Sequence, residues 1–286
     1  MITIKLRGGL GNQMFQYALY CSMAEQNIDV CLDDYSSFNE KERPEHAGFG
    51  LSVFNAEYKR YKPNSMPDWV TSNDNLLHKI IRRLRFLQLP LPLYIEKSPS
   101  VYDAGVFNLK NKYIEGYWQS EKYFEGIKPH ILTKFTYKGE WSSDNIKYRD
   151  SMNSSNSVSV HVRRGDYLQT SRYSNICTSD YYKTAIKYVK DHVVNPTFFI
   201  FSNDIDWCEN FFDKTDNVVF VKGNDGTKAV FDMLLMSKCK HHIIANSSFS
   251  WWGAWLSPHE GITIAPNKWD NLCITPDIWC KNWIRI

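Results

Sequence analysis

Two adjacent arginines follow a short alternating apolar run near the middle of the chain. Val158, Val160 and Val162 predict a β-strand, because β-branched residues at every second position are typical of strands. The polar residues at the end of this strand are His161, Arg163, Arg164 and Asp166. Neighbouring guanidinium groups repel each other, and their planar forks match phosphate geometry. The pattern predicts a phosphate-binding loop, and a surface ion pair between Asp166 and either arginine is the alternative.

The second half of the chain alternates between apolar runs of strand length and stretches of helix length. Strands are predicted over 158–163, 197–202, 218–221, 242–245 and 262–265. Helices are predicted near 178–192, 205–213, 227–239 and 248–256. Alternating strands and helices favour right-handed crossovers, so we expect a parallel, doubly wound α/β sheet.

Two further polar clusters follow predicted strands. They are Ser202-Asn203-Asp204 and Asn246-Ser247-Ser248-Phe249. Ligands of open α/β sheets bind outside the carboxyl ends of the strands, so three such clusters indicate one binding site. Ser247 or Ser248 is expected to cap a helix whose first N–H groups face a phosphate. Asp204 is expected to cap a helix or to accept hydrogen bonds from a guanine edge, while Asp204-Ile205-Asp206 as a metal site is the less favoured interpretation.

A glycine-rich loop follows the first predicted strand, which contains Ile2, Ile4 and Leu6. The loop residues are Gly9, Gly11, Asn12 and Gln13. Glycines let the backbone approach a ligand at the start of the following helix, where negative groups are favoured. The spacing fits neither a dinucleotide fingerprint nor a P-loop, and a plain strand-to-helix turn is the alternative.

Composition excludes several classes of protein. A net charge of +3 over 286 residues is too small for a nucleic-acid-binding face. Seven cysteines without a C-x-x-C pair favour reduced thiols, and the first residues hold no apolar signal segment, so a cytoplasmic location is expected. Aromatic residues make up 15% of the chain, which favours core packing for most of them and a sugar-binding cleft for some.

A polar stretch over 138–157 is the predicted linker between two domains. We therefore expect an N-terminal α/β domain over 1–155, a doubly wound domain over 156–275 and a C-terminal helix over 276–286 that packs back toward the cleft. A basic amphipathic helix over 76–87 could lie on the inner membrane surface. A solvated face on a packed helix is the favoured alternative.

Four stretches resemble glycosyltransferase family 11, the α-1,2-fucosyltransferases. They are GGLGNQMFQYA from Gly8, GYWQSEKYF from Gly116, HVRRGDY from His161, and the pair FSNDIDWC from Phe201 and NSSFSWWGAWL from Asn246. The resemblance implies a GT-B architecture, two Rossmann-like domains facing across a cleft, with GDP-β-L-fucose held by the C-terminal one. It also implies inverting, metal-independent transfer of fucose to the 2-hydroxyl of a terminal galactose in a bacterial surface glycan.

The resemblance also implies roles for single residues. Arg163 corresponds to the arginine that holds the β-phosphate, Arg164 to its supporting arginine, and His161 and Asp204 to guanine or ribose contacts. Ser248 and Phe249 match residues at the pyrophosphate, and Asn12 matches an asparagine near the reacting groups. Bacterial members often have an acid where this chain has Asn203, which leaves its part in base recognition doubtful.

Several alternatives stay open at this stage. A GDP-sugar transferase with another linkage, such as an α-1,6-fucosyltransferase, would use the same arginine motif. A non-catalytic carbohydrate-binding protein would use the aromatic surplus and would not need the phosphate loops. Candidates for the group that takes the acceptor proton are Asp33, Asp34, Glu115 and Glu121, and no spacing singles one out.

Overall fold

A computed structural model describes residues 1–38, 50–62, 66–71, 76–83, 91–212, 217–273 and 276–286. The chain divides into two compact units. The first comprises Met1–Lys138 and Pro276–Ile278, and the second comprises Gly139–Thr275 and Trp279–Ile286. Residues 139–155, which the sequence analysis assigns to the first domain, therefore belong to the second unit.

The first unit is built on a parallel sheet whose described strands have the order β2-β1-β4-β3. The strands are β1 (Ile2–Lys5), β2 (Val30–Asp33), β3 (Leu93–Ile95) and β4 (Tyr113–Glu115). The helices are α1 (Leu10–Glu25), α2 (Asp68–Thr71), α3 (Leu76–Arg83) and α4 (Lys128–Lys134). Helix α1 follows the glycine-rich loop, as the sequence predicts, and its Met14, Phe15, Ala18 and Leu19 are fully buried.

The second unit holds a six-stranded parallel sheet in the order β10-β9-β8-β5-β6-β7. Its strands are β5 (Asn156–Val162), β6 (Pro196–Ser202), β7 (Val218–Phe220), β8 (His241–Ile243), β9 (Thr263–Ala265) and β10 (Ile284–Arg285). Its helices are α5 (Ser143–Asn153), α6 (Ser179–His192), α7 (Ile205–Phe211), α8 (Val230–Met236) and α9 (Ser248–Trp255). The alternating pattern predicted from sequence is confirmed, and strand order reverses between β5 and β8, as in a doubly wound nucleotide-binding sheet.

The predicted linker over 138–157 is wrong, because most of it is helix α5. Ser142 caps this helix by accepting a hydrogen bond from the Asn145 N–H at 3.3 Å. The Asn145 side chain is buried and exchanges two hydrogen bonds with Asn224, at 2.9 and 3.0 Å. Met152 adds one fully buried apolar contact. A polar pair thus anchors the helix where an apolar stripe usually does, which is why the composition resembles a linker.

The C-terminal helix predicted over 276–286 is also wrong. Ile284 and Arg285 form strand β10 and pair in parallel with Ile264 and Ala265 of β9. The backbone N–H of Ile286 donates to the Ala265 carbonyl at 3.1 Å. These bonds satisfy the polar groups of an otherwise open sheet edge, and that gain exceeds the helical preference of a short segment.

The tryptophans of α9 belong to the core, as their helical spacing predicts. Trp251 and Trp252 are fully buried, and Trp255 is nearly so. Within the described ranges, helices are too short or too polar to cross a bilayer. The predicted helix over 76–87 is described only as far as Arg83, and its residues 84–87 lie outside the described residues.

Candidate functional site

The arginine loop leaves β5 at the point where the strand order of the second sheet reverses. Arg163 and Arg164 directly follow the last residue of β5, Val162. The other two polar clusters follow β6 and β8, the two strands that flank β5. All three predicted clusters therefore lie at one edge of one sheet, where ligands of doubly wound sheets bind.

Arg164 is held by the cluster that follows β6. Its Nε donates to Asp204 Oδ2 at 2.9 Å, and its guanidinium carbon lies 4.2 Å from the centre of the Trp207 ring. Asp204 also caps α7, because its other carboxylate oxygen accepts the Trp207 N–H at 3.2 Å. The helix-cap role expected for Asp204 is thus confirmed, and the same carboxylate balances one arginine of the pair.

Asn203 fixes the backbone of the arginine loop. Its Oδ1 accepts the Arg164 N–H at 3.0 Å. Gly165 adopts φ +46°, and a Cβ on it would lie 2.6 Å from Asn203 Nδ2. The sequence left the part of Asn203 in base recognition doubtful, and the structure gives it a contact with the loop that carries both arginines.

Arg163 is the more loosely held arginine. Its Nη2 lies 2.9 Å from Asp166 Oδ1, and its guanidinium carbon lies 5.3 Å from the centre of the Tyr167 ring. The alternative prediction of an Arg163–Asp166 ion pair is therefore correct. The two side chains are 31% and 47% exposed, and a pair so exposed is worth about 0–1 kcal/mol. An incoming phosphate can displace Asp166 at little cost, so the ion pair does not argue against anion binding.

The start of helix α9 adjoins the arginine loop. The Ser247 hydroxyl caps this helix by accepting the Phe249 N–H at 3.3 Å, so Ser248 is its first residue. Burial raises the pKa of the Tyr167 phenol to about 12, and the nearby Arg163 charge opposes that shift. The positive end of the helix dipole and the remaining N–H groups of the first turn favour an anion beside the arginines.

His161 and Asn246 form the buried floor of this edge. Burial and the neighbouring Arg163 charge lower the pKa of His161 to about 3, so its imidazole is neutral. Its ring lies 5.9 Å from the Phe249 ring, and its Nδ1 is buried without a hydrogen-bond partner among the described residues. The Asn246 Nδ2 donates to the Trp269 carbonyl at 3.1 Å. A neutral imidazole beside two arginines can donate or accept a hydrogen bond without adding charge.

Sequence reasoning missed a second layer around Arg163. Tyr167 stacks on Tyr173 with 4.8 Å between ring centres, and the Arg172 guanidinium lies over Tyr173. Arg172 is anchored by the buried Asp270 carboxylate at 2.8 Å. This arginine–tyrosine stack gives the Tyr167 ring a fixed position under Arg163. The available sequence signal was a tyrosine close behind the arginines: Tyr167 follows the Arg163-Arg164 pair by three residues, and Tyr173 directly follows Arg172.

The glycine-rich loop of the first unit is fixed by buried glutamines. The Gln13 Nε2 donates to the Gly8 carbonyl at 2.8 Å. Gln16, which the sequence analysis did not single out, accepts the Arg7 N–H at 2.9 Å and donates to the Gly116 carbonyl at 2.9 Å. Two fully buried polar residues in an apolar helix were the available signal.

The close approach expected of the glycines falls on a neighbour of the predicted ones. Gly8 adopts φ +76°, and a Cβ there would lie 2.6 Å from Asn12 Nδ2, whereas a Cβ on Gly9 would meet nothing. Gly11 is buried in the first turn of α1. Asn12 Oδ1 accepts the Gln119 Nε2–H at 2.7 Å. Asn12 belongs to the first unit and the arginines belong to the second.

Three of the four candidate proton acceptors already have partners within the first unit. Asp33 is fully buried and accepts the Tyr113 hydroxyl and two backbone N–H groups. Asp34 accepts the Tyr58 hydroxyl at 2.7 Å and pairs with Arg60. Glu115 is buried 3.2 Å from Lys5 Nζ. Asp33 and Asp34 are thereby committed to the fold.

Residues 94–286 match the sequence profile of glycosyl transferase family 11. The chain belongs to this family. An α-1,2-colitosyltransferase of Escherichia coli is 37% identical to it over 94% of this chain and 92% of the relative. The O-antigen biosynthesis glycosyltransferase WbnK of Escherichia coli is 31% identical over 96% of this chain and 98% of the relative.

More distant relatives share the fold or part of the sequence. A human galactoside α-(1,2)-fucosyltransferase 1 is 33% identical over 38% of this chain and 31% of its own length. The crystal structure of fucosyltransferase NodZ from Bradyrhizobium superposes with a TM-score of 0.55 at 16% identity, over 90% of this chain and 92% of that one. This structural similarity and the two parallel sheets confirm the expected GT-B-type α/β fold class.

Proposed function

We propose that this family 11 glycosyltransferase moves L-fucose from GDP-β-L-fucose to the 2-hydroxyl of a terminal galactose, with inversion to an α-1,2 linkage. The observation that carries the proposal is the arginine pair at the reversal of strand order, beside the first turn of α9. The solved structure of a NodZ α-1,6-fucosyltransferase soaked with GDP-fucose shows the same fold class, with a TM-score of 0.51.

The chemistry follows from where negative charge grows. When the bond between fucose C1 and the β-phosphate oxygen breaks, the electron pair stays on that oxygen. Cations and N–H donors already aimed at it lower the barrier, because they need no reorganisation during the step. Arg163 is assigned the β-phosphate, Arg164 supports it, and the Ser248 N–H in the first turn of α9 completes the set, while the Phe249 N–H stays with its Ser247 cap. Each such charged hydrogen bond contributes about 1.5–3 kcal/mol.

GDP-colitose is a second donor to be tested beside GDP-fucose. The 37% identical relative is named a colitosyltransferase, and colitose is fucose without its 3-hydroxyl. The two donors carry the same GDP group and the same reacting carbon, so the arginine site serves both. The enzyme can distinguish the two donors only through contacts with the 3-hydroxyl. When a buried polar group must bond that hydroxyl, the ratio of the two kcat/KM values can reach several orders of magnitude.

Product analysis tests this function. The enzyme is incubated with GDP-fucose or GDP-colitose and a series of galactosides, and the linkage is read by NMR. We expect an α-1,2 product on terminal β-galactose. GDP should inhibit its formation, and ATP at the same concentration should not. An α-1,6 linkage would favour the alternative class. Binding of free sugar without any GDP dependence would point to a carbohydrate-binding protein instead.

Metal independence is a separate expectation. Asp204 already binds Arg164 and the α7 backbone, and Asp206 lies in the first turn of α7 and is exposed. The Asp204 carboxylate thus already balances Arg164, which supports a transfer that needs no divalent ion at this pair. We expect full transfer activity after dialysis against EDTA, measured as product per minute. Complete loss that Mn²⁺ restores would revive the metal interpretation of these aspartates.

The cellular setting is also part of the proposal. The seven cysteines are free thiols, which supports a reducing compartment and hence the cytoplasm. The O-antigen relative supports a surface glycan as the acceptor. Contact between helix α3 and the inner membrane stays a prediction, to which the exposed Leu76 and Ile80 add two apolar side chains one turn apart.

A further inference from the structure

The first unit contains a cavity that the donor site does not use. Its volume is about 180 Å³, and it is lined by Tyr94, Trp118 and the segments 96–98 and 101–103. A cavity of about 150 Å³ suffices for one benzene ring, so this space has room for one six-membered ring. Strand β3 and the loop after it form one wall, and Trp118 forms the other.

The walls combine aromatic faces with a charged rim. The Trp118 and Tyr94 rings are stacked, with 6.3 Å between centres and 18° between planes. The Lys97 ammonium lies 3.6 Å from the Asp103 carboxylate, and the Tyr94 hydroxyl donates to the same carboxylate. Ser98 adds a hydroxyl. Trp118 is fully buried, so the partly exposed Tyr94 ring supplies the aromatic face for the C–H face of a sugar, and the rim offers donors and acceptors for its hydroxyls.

The charge of the rim argues for a neutral ligand. Lys97 is balanced by Asp103, and the Glu96 carboxylate accepts the backbone N–H groups of Tyr117 and Trp118 at 2.8 and 3.0 Å. Two acids and one lysine line the cavity, so a phosphate or carboxylate would be repelled. A neutral sugar ring meets no such penalty.

The backbone at the cavity is strained. Trp118 adopts φ +55° and Ser100 φ +64°. Both are left-handed conformations that cost a non-glycine residue about 1–2 kcal/mol. The Ser100 hydroxyl donates to Gln119 Oε1 at 3.1 Å, and Glu96 holds the Trp118 N–H. Strain of this kind is typical of ligand sites, where the surrounding contacts hold a residue in place.

The cavity is connected to the glycine-rich loop. Gln119, the neighbour of Trp118, donates to Asn12 Oδ1 at 2.7 Å while it accepts from Ser100. The C-terminal segment braces the loop after β3 that lines the cavity, because Asp277 Oδ2 accepts the Tyr102 N–H at 2.9 Å. One hydrogen-bonded network therefore joins the cavity wall to the asparagine predicted to act near the reacting groups.

We infer that this cavity binds one neutral pyranose ring of the glycan acceptor. The inference rests on the proposed function, since it supplies the acceptor for that transfer. The ring packs against the partly exposed Tyr94, and its hydroxyls bond Lys97, Ser98 and Asp103. The network through Gln119 couples occupancy of the cavity to the position of Asn12.

A filling variant tests the cavity at Val101, which lines it. Val101→Trp is expected to raise the acceptor KM at least about tenfold, because the indole occupies the space of the ring. Val101→Thr, nearly the same size, is the matched control and should keep the acceptor KM. The KM for the GDP-sugar and acceptor-free hydrolysis of GDP-fucose should change by less than about twofold in both. An unchanged acceptor KM in Val101→Trp overturns the inference.

Lys97→Ala keeps the test decisive should Val101→Trp fail to fold. The Lys97 side chain is 78% exposed, so its loss leaves the fold intact, and the acceptor KM should rise about fivefold with donor KM unchanged. No rise would count against the cavity. Titration calorimetry with methyl β-galactoside plus GDP needs no turnover. Binding of the galactoside to wild type and not to Val101→Trp supports the cavity. If no transfer is found in the same preparation, that result rejects the proposed reaction and leaves the cavity assignment in place.

Discussion

Replacing Arg163 with alanine is expected to lower kcat about a hundredfold or more. The guanidinium is assigned to the oxygen on which charge accumulates as the sugar leaves, so its loss removes stabilisation that is largest in the transition state. Arg163→Lys keeps the charge but loses the planar fork, and should recover only part of the rate. The measurement is kcat and the donor KM under saturating acceptor.

Stability should hardly change in these variants. The Arg163–Asp166 pair is exposed and worth at most about 1 kcal/mol, so the melting temperature should stay close to wild type. Arg149→Ala is the matched control, because Arg149 pairs with Asp150 away from the sheet edge. If Arg163→Ala kept kcat within about threefold of wild type, the phosphate assignment would be wrong.

Gly165→Ala is expected to lower kcat/KM at least about thirtyfold, since displacing catalytic groups by about an ångström can cost two orders of magnitude. The added Cβ would lie 2.6 Å from Asn203 Nδ2, at the amide that holds the Arg164 N–H. Either the loop or Asn203 must move. Both arginines then lose their fixed direction toward the phosphates. Steady-state kinetics with GDP-fucose provides the measurement.

Gly226→Ala separates this effect from backbone strain. Gly226 adopts φ +61°, similar in sign to the φ +46° of Gly165, but a Cβ there meets nothing within 4 Å. Both variants should lose about 1 kcal/mol of unfolding free energy, and only Gly165→Ala should lose activity. Equal kinetics in the two variants would contradict the role given to the Asn203 contact.

Local pattern predicted most elements of the second unit. Strand β5 was expected over 158–163 and spans Asn156–Val162, and helix α6 was expected near 178–192 and spans Ser179–His192. These elements have strong apolar periodicity, which is a local property of the chain. Helix α5 lacks it, because the Asn145–Asn224 pair anchors it to a residue far along the chain. Strand β10 exists because the edge of β9 was open to pairing.

The amino-acid pattern alone shows charged and polar clusters at the ends of predicted parallel strands, and this is enough to expect a phosphate site. Its motifs are specific enough to indicate the family. The three-dimensional fold is needed to see that β8 lies beside β5, that Arg164 pairs with Asp204 while Arg163 pairs with Asp166, and that Asn203 holds the loop. Strand composition and turn residues are encoded locally. Strand order and the partners of each charge depend on packing between distant segments, which no short window of sequence contains.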